Sequence, residues 1–450
     1  MKSCLTYLDG WIQECNKQHG DKCQVEPIAG RPTHHIPDWV IDSEDGCIVR
    51  GCSIPRYVAL SYVWSPAVKD SITVDEVGDR LMLQSENLED FRRAGFLRSG
   101  ILERVPVVIR DAINFVQLSG FRYIWVDSLC IVQHEDTTQD RVGLMNEIYS
   151  GAYFTIIAAA SSKRLYGNEL DDGRHLPYES LSARDLHSKL LCSHWASRGW
   201  TFQEQLLSKR SIIFLDNVFF WDCQRDVQWP PPEADEKPGS FVGLQTTLQV
   251  RKPPIARKNP MEEGALTEVD RKSRNMDDKP KDLTSLSPVP DFKFYIELVC
   301  RYSNRNLTYD QDVLPAFSGV IEAFSRQTFR GGFVSGLPAL FLDSALLWQP
   351  LLKARRRSMV GAGARIAPKA PLPSWSWAGW QCLVDPESLR GGLDFIAYND
   401  AAPSVAETSS QDELRPRCKL VFNSSLAEFD ALPGANFQLQ KTGDIVQMPV

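Results

Sequence analysis

Residues 106–131 read PVVIRDAINFVQLSGFRYIWVDSLCI, and the change of period inside this stretch decides the fold class. In its first part Val108, Ala112, Ile113 and Val116 recur at helical spacing. Pro106 suits a first helical turn, and Gly120 stands where a C-terminal cap belongs. The second part, YIWVDSLCI at 123–131, is a short apolar run that reads as a buried strand. The same strand pattern occurs upstream in YVALSYVW (57–64) and downstream in FTIIAAA (154–160). Between the last two runs, residues 138–150 place Val142, Met145, Ile148 and Tyr149 on one helical face. Strand, helix, strand, helix, strand in succession predicts an α/β fold, a parallel sheet flanked by helices. Ligands of such sheets bind outside the carboxyl ends of the strands, here residues 61–64, 127–130 and 159–162.

Further from this centre the patterns are weaker. Residues 65–104 are polar, with a candidate strand at 71–74 and a helix near 86–94. WASRGWTFQEQLLS (195–208) reads as a helix, and SIIFLDNVFFWDC (211–223) as a hairpin about Asp216 and Asn217. From 229 to about 291 the chain is rich in proline and in charge of both signs, which reads as a mobile insertion. Helical patterns return over 315–329 and 339–348, followed by a second loop and SWSWAGW at 374–380. The expected organisation is a leader (1–54), the α/β domain (55–225), the insertion (226–291), a mixed α+β C-terminal region that is largely helical (292–395), and a weakly structured tail (396–450).

A net charge of -7 offers no basic stripe for nucleic acid, and no apolar run is long enough for a membrane span. The first residues lack the apolar core of a signal peptide, so a soluble, cytoplasmic protein is expected. Eleven cysteines occur without a CxxC pair, and disulfides are not expected in a reducing compartment. Cys4, Cys15, His19 and Cys23 lie close together in sequence, yet their spacing matches no standard finger, so no metal site is assigned. Signatures of dinucleotide-binding folds, P-loops, zinc peptidases and α/β-hydrolases are absent.

The candidate site residues come from the strand ends and from the 195–208 helix. Asp127, where a buried run ends, caps a turn and holds Ser128 or Arg110, pairs with a cation, or serves a ligand. Cys130 reads as a packed strand thiol. On a helix Trp200, Gln203, Glu204 and Leu207 share a face, which puts a carboxylate on an otherwise apolar surface. Two readings of Glu204 stand. A buried Arg198–Glu204 or Asp127–Arg198 ion pair fixes the helix, or Glu204 is held in a cleft to steady cationic charge on a sugar. Ser61 and Trp64 sit at the mouth of the first strand, where the indole stacks on a planar ligand or fills core. Trp375, Trp377 and Trp380 of SWSWAGW read as core-sealing.

The ordered set YVALSYVW, VPVVIRDAI, YIWVDSLCIVQ, MNEIYSGAYFTIIAAAS and SRGWTFQEQLLS resembles the heterokaryon-incompatibility (HET) domain of filamentous fungi. WIQEC…HGDKC before it, and YSNRNLTYDQDVLPAFSGV and LPSWSWAGW after it, resemble the usual flanks of that domain. Ser65 stands where the family often has glycine. The resemblance implies a role in fungal self/non-self recognition, a form of innate immunity in which fusion of unlike hyphae triggers programmed cell death. The HET domain has been proposed as a remote relative of Toll/interleukin-receptor (TIR) domains, which have a flavodoxin-like sheet, act by self-association and in several lineages cleave NAD. In those domains a catalytic glutamate follows a tryptophan on the helix after the fourth strand, as Glu204 follows Trp200 here. What this implies is NAD as a possible substrate and no bound cofactor. Glu204 would act on the ribose, Asp127, Arg198 and Trp200 would shape the pocket, and Ser61 and Trp64 would line its mouth. It also implies a homo-oligomer on activation, with a protein partner as possible trigger. Two other readings are a non-enzymatic adaptor and an ordinary metabolic enzyme.

Overall fold

Buried strands alternate with amphipathic helices in the first half of the chain and collect into one sheet. The computed structural model describes residues 2–25, 27–30, 36–63, 81–98, 101–133, 144–160, 165, 183–216, 218–223, 225–230, 239–242, 283, 286, 290–329, 331–358, 372–389, 428–431 and 437–440. Contacts divide the chain into two units, Met1–Thr284 and Ser285–Val450. No described helix is long and apolar enough to cross a membrane.

The first unit begins with α1 (Lys2–His19) and the hairpin β1 (Trp39–Asp42) and β2 (Cys47–Arg50). After β3 (Val58–Ser61) come the short α2 (Leu88–Phe91) and α3 (Val107–Leu118), then β4 (Tyr123–Trp125) and α4 (Asp127–Cys130). α5 (Met145–Gly151), β5 (Thr155–Ala158), α6 (Ala183–Cys192) and α7 (Trp200–Leu207) follow. β6 (Ser211–Leu215), β7 (Val218–Asp222), β8 (Asp226–Trp229) and β9 (Gly239–Val242) complete a nine-stranded sheet ordered β2-β1-β4-β3-β5-β6-β7-β8-β9. β4, β3, β5 and β6 are mutually parallel, and the flanking strands pair antiparallel. Counted in chain order the parallel strands run 2-1-3-4, the order of doubly wound, flavodoxin-like sheets.

Both faces of the central strands are covered, which explains why β3, β4, β5 and β6 are largely apolar rather than alternating. On one face the Phe115 ring of α3 meets Phe214 edge-on at 5.4 Å, and Trp11 of α1 lies 6.0 Å from Phe219. On the other, Leu186 and Leu190 of α6 pack with Trp195, Ile157 and Ile213. Asp216 adopts φ 51 in the tight β6–β7 turn, as the expected hairpin requires.

Three features depart from the sequence reading. The strand expected over 123–131 stops at Trp125, and Asp127 opens a helical turn. Its Oδ1 accepts the Ser128 N–H at 2.7 Å, the local bond by which a short carboxylate diverts the backbone from a ladder. Residues 39–50, read as leader, form a hairpin that joins the main sheet beside β4. There the buried Asp42 accepts the N–H groups of Glu44 and Asp45, both at 3.0 Å, and Arg122 Nη2 at 2.7 Å. Third, β8 and β9 lie within the segment read as an insertion (226–291) and extend the sheet by two strands. The candidate strand at 71–74, the start of the 138–150 helix, most of 226–291 and Trp64 lie outside the described residues.

The second unit is built on α8 (Phe292–Tyr302) and α9 (Ser318–Gln327). Asp291 caps α8 by accepting the Phe294 N–H at 2.9 Å. Tyr295, Phe317, Phe324, Phe329 and Trp377 form its aromatic core. Of the SWSWAGW tryptophans Trp377 is buried, whereas Trp375 and Trp380 are only partly covered. A hairpin pairs 428–431 with 437–440 in the segment read as a tail.

Phe154, just before β5, is fully buried between Phe121 at 5.1 Å and Trp221 at 6.1 Å, both edge-on. Phe154→Ala is expected to cost about 3–5 kcal/mol. The measurement is a lowered denaturant midpoint for the first unit.

Candidate functional site

β3 ends at Ser61, whose neighbour in register on β5 is Ile157. From β3 the chain crosses to β4 on one side, then returns to β5 on the other, so strand order reverses between β3 and β5. Ligands of doubly wound sheets bind outside the carboxyl ends at such a reversal. α7 lies over this point and brings Glu204 and Ser208, one turn apart, to the sheet.

The contacts there form a directed chain. Trp195 Nε1 donates to Ser61 Oγ at 2.8 Å, and Ser61 Oγ donates to Glu204 Oε2 at 2.5 Å. An indole N–H only donates, so the serine proton is committed to the carboxyl. One turn on, Ser208 Oγ donates to the Glu204 carbonyl at 2.6 Å and lies 2.7 Å from Thr155 Oγ1 on β5. Thr201 Oγ1 donates to the Trp195 carbonyl at 2.7 Å, which ties the start of α7 to the preceding turn. On the other side Tyr149 of α5 donates to the Leu60 carbonyl at 3.1 Å, and Tyr62 Oη lies 3.0 Å from Ser128 Oγ.

Glu204 is 6% exposed. Burial pushes its carboxyl up to about 8. The hydrogen bond from Ser61 opposes that rise, the nearby charge of Asp127 adds to it, and Tyr149 and the Arg198 guanidinium oppose it again. At neutral pH the group is therefore mostly a neutral acid, and an approaching cation would favour its carboxylate. Burial, with the charge of Glu204 second, also holds the Tyr149 hydroxyl well above its usual range.

Of the residues singled out from sequence, Ser61 and Glu204 are in direct contact, and Asp127 and Arg198 act on Glu204 through charge. Trp200 opens α7, partly buried against the core of the first unit. The expected face of Trp200, Gln203, Glu204 and Leu207 is not a solitary one, because Thr201, Phe202 and Leu206 are buried as well. Trp195 and Tyr149 were missed. Both lie in or beside the motif blocks, and polar ring atoms next to buried runs were the available signal. Metal-ligating side chains gather elsewhere, where α1 meets the end of β7.

The raised Glu204 value has a consequence for stability. The folded state keeps a proton that the unfolded chain releases at ordinary carboxyl pH, so this group's contribution is full below about 4.5 and is lost as pH rises to about 8. Stability of the first unit should fall across that window by up to about 1.4 kcal/mol per pH unit from this group. Glu204→Gln should remove that part of the slope in denaturant titrations run at several pH values.

No curated protein and no solved structure matches the chain. Residues 57–204, from the residue before β3 to Glu204 itself, match the family model described as "Heterokaryon incompatibility protein (HET)". The chain therefore carries a heterokaryon-incompatibility domain over that span.

Proposed function

We propose that the protein is a heterokaryon-incompatibility effector that drives programmed cell death in fungal self/non-self recognition once it self-associates, and that its chemistry is NAD cleavage at Glu204. The observation that supports this is the Ser61–Glu204 contact at the reversal of strand order, where a parallel sheet offers its ligand crevice. In the reaction water adds to the ribose carbon as the bond to nicotinamide breaks, giving ADP-ribose, nicotinamide and a proton. The positively charged nicotinamide ring favours the Glu204 carboxylate, which then steadies the cation developing on the ribose. Trp195 and Ser61 hold the carboxyl in one orientation. A cytoplasmic location and a protein trigger complete this reading.

A second reading is an adaptor without catalysis. The deep burial of Glu204 supports it, since a neutral acid hydrogen-bonded to a strand end also suits a purely structural role.

The two part in cells expressing the wild type or Glu204→Gln. The enzymatic effector predicts NAD loss before death in the wild type, and neither in the variant. In purified protein, cleavage should rise with pH toward the Glu204 value of about 8. Death at constant NAD sinks the enzymatic reading, and death that persists with a folded Glu204→Gln favours the adaptor.

A further inference from the structure

At the end of α1, Cys15 and His19 stand one helical turn apart on the same face. The chain then makes the 3₁₀ turn Gly20–Lys22, and Cys23 closes it with its N–H on the Gly20 carbonyl. Cys223, the first residue after β7, reaches the same spot from the other end of the first unit. The ligand atoms of Cys15, His19, Cys23 and Cys223 all lie within 4.8 Å of one another. Cys223 Sγ is 3.3 Å from His19 Nδ1, and Cys23 Sγ donates to the Cys223 carbonyl at 3.1 Å. All three cysteines are buried and free, and His19 is partly covered.

We propose that these four residues form a structural zinc site of the Cys₃His type. A tetrahedral ion with Zn–S near 2.3 Å sets its sulfur ligands about 3.8 Å apart, so a small contraction of the observed cluster closes the shell. Three thiolates and one imidazole are the soft donor set that suits zinc. Thiols buried only as small hydrophobes have no reason to aim their sulfurs at a common point with a ring nitrogen. Cys4, on the same helix and equally buried, stays out of the cluster.

Charge offers an independent argument. Arg210 is 0% exposed, and among the described residues its Nε and Nη1 meet no nitrogen or oxygen acceptor. Its Nη2 donates to the neutral Asn16 side chain, and the guanidinium stands beside Cys15. It lies over the Tyr153 ring at 5.3 Å, and among the described residues no carboxylate pairs with it, a costly state for a buried cation. Zinc with three thiolates and a neutral imidazole carries one net negative charge, which supplies the counter-charge. All four ligands lie outside the matched 57–204 span, on both sides of it. The ion would thus fasten the N-terminal helix to the far part of the sheet across a separation of 200 residues.

The test uses the full chain purified under reducing conditions after expression with zinc. Elemental analysis should find about one zinc per chain, and zinc-edge X-ray absorption should fit three sulfurs and one nitrogen. Cys223→Ser and Cys15→Ser should each drop the zinc content to near zero, while Cys4→Ser keeps it. If the ligand variants fail to fold, the wild-type absorption spectrum and the spectrum of its cobalt-substituted form decide alone. A folded wild type that neither holds nor takes up zinc overturns the proposal. So does an oxygen-rich coordination shell, or a disulfide among these three cysteines in the reduced preparation.

Discussion

The hydrogen bond from Ser61 to Glu204 fixes how the last helix of the HET domain lies on its sheet. A carboxyl placed over the middle of a parallel sheet is costly unless its surroundings satisfy it or keep it neutral. Here both happen. Ser61 donates to it, and burial holds it protonated near neutral pH. The neighbouring bonds follow from that placement. Trp195 orients the serine, and Ser208 and Thr155 repeat the helix-to-sheet contact one turn further on. A polar row on the inner face of α7 thus selects one seating of the helix, where an apolar face would permit several.

Much of the sheet was legible because its central strands are buried on both faces and therefore read as unbroken apolar runs. The β6–β7 hairpin was legible for another reason, since only a few residues tolerate the backbone of its turn and Asp216 is one. The limits are equally physical. Asp127 ends β4 through a bond to its own neighbour, a local competition that an apolar run hides. The β1–β2 hairpin is held by Asp42 and Arg122, 80 residues apart in sequence. Glu204 was legible from helical spacing, but its partner was not. A serine at a strand end and a glutamate 143 residues later carry no mutual signal in a single sequence. The cysteine cluster failed for the same reason, because its fourth member comes from the end of β7.

The HET match and the folded unit have different extents. The match includes β3, β4 and β5, three of the four parallel strands, and ends on Glu204 before β6 begins. β6 pairs with β5 along the whole length of β5, and Arg210, which links α7 to β6, accepts the Thr155 N–H on its carbonyl at 2.8 Å. The hairpin on the other side pairs β1 with β4. Glu204 therefore stands near the middle of the folded unit although it is the last residue of the matched span.

That difference bears on what a fragment cut at 57 and 204 would be. It would keep the strand end and the glutamate, but it would lose the neighbours of β4 and β5 together. Each of those strands would then present a row of unanswered N–H and carbonyl groups beside apolar side chains. Such edges pair readily with other chains. Clumping of the isolated segment would then reflect exposed strand edges, and it would say little about the assembly that the intact protein adopts.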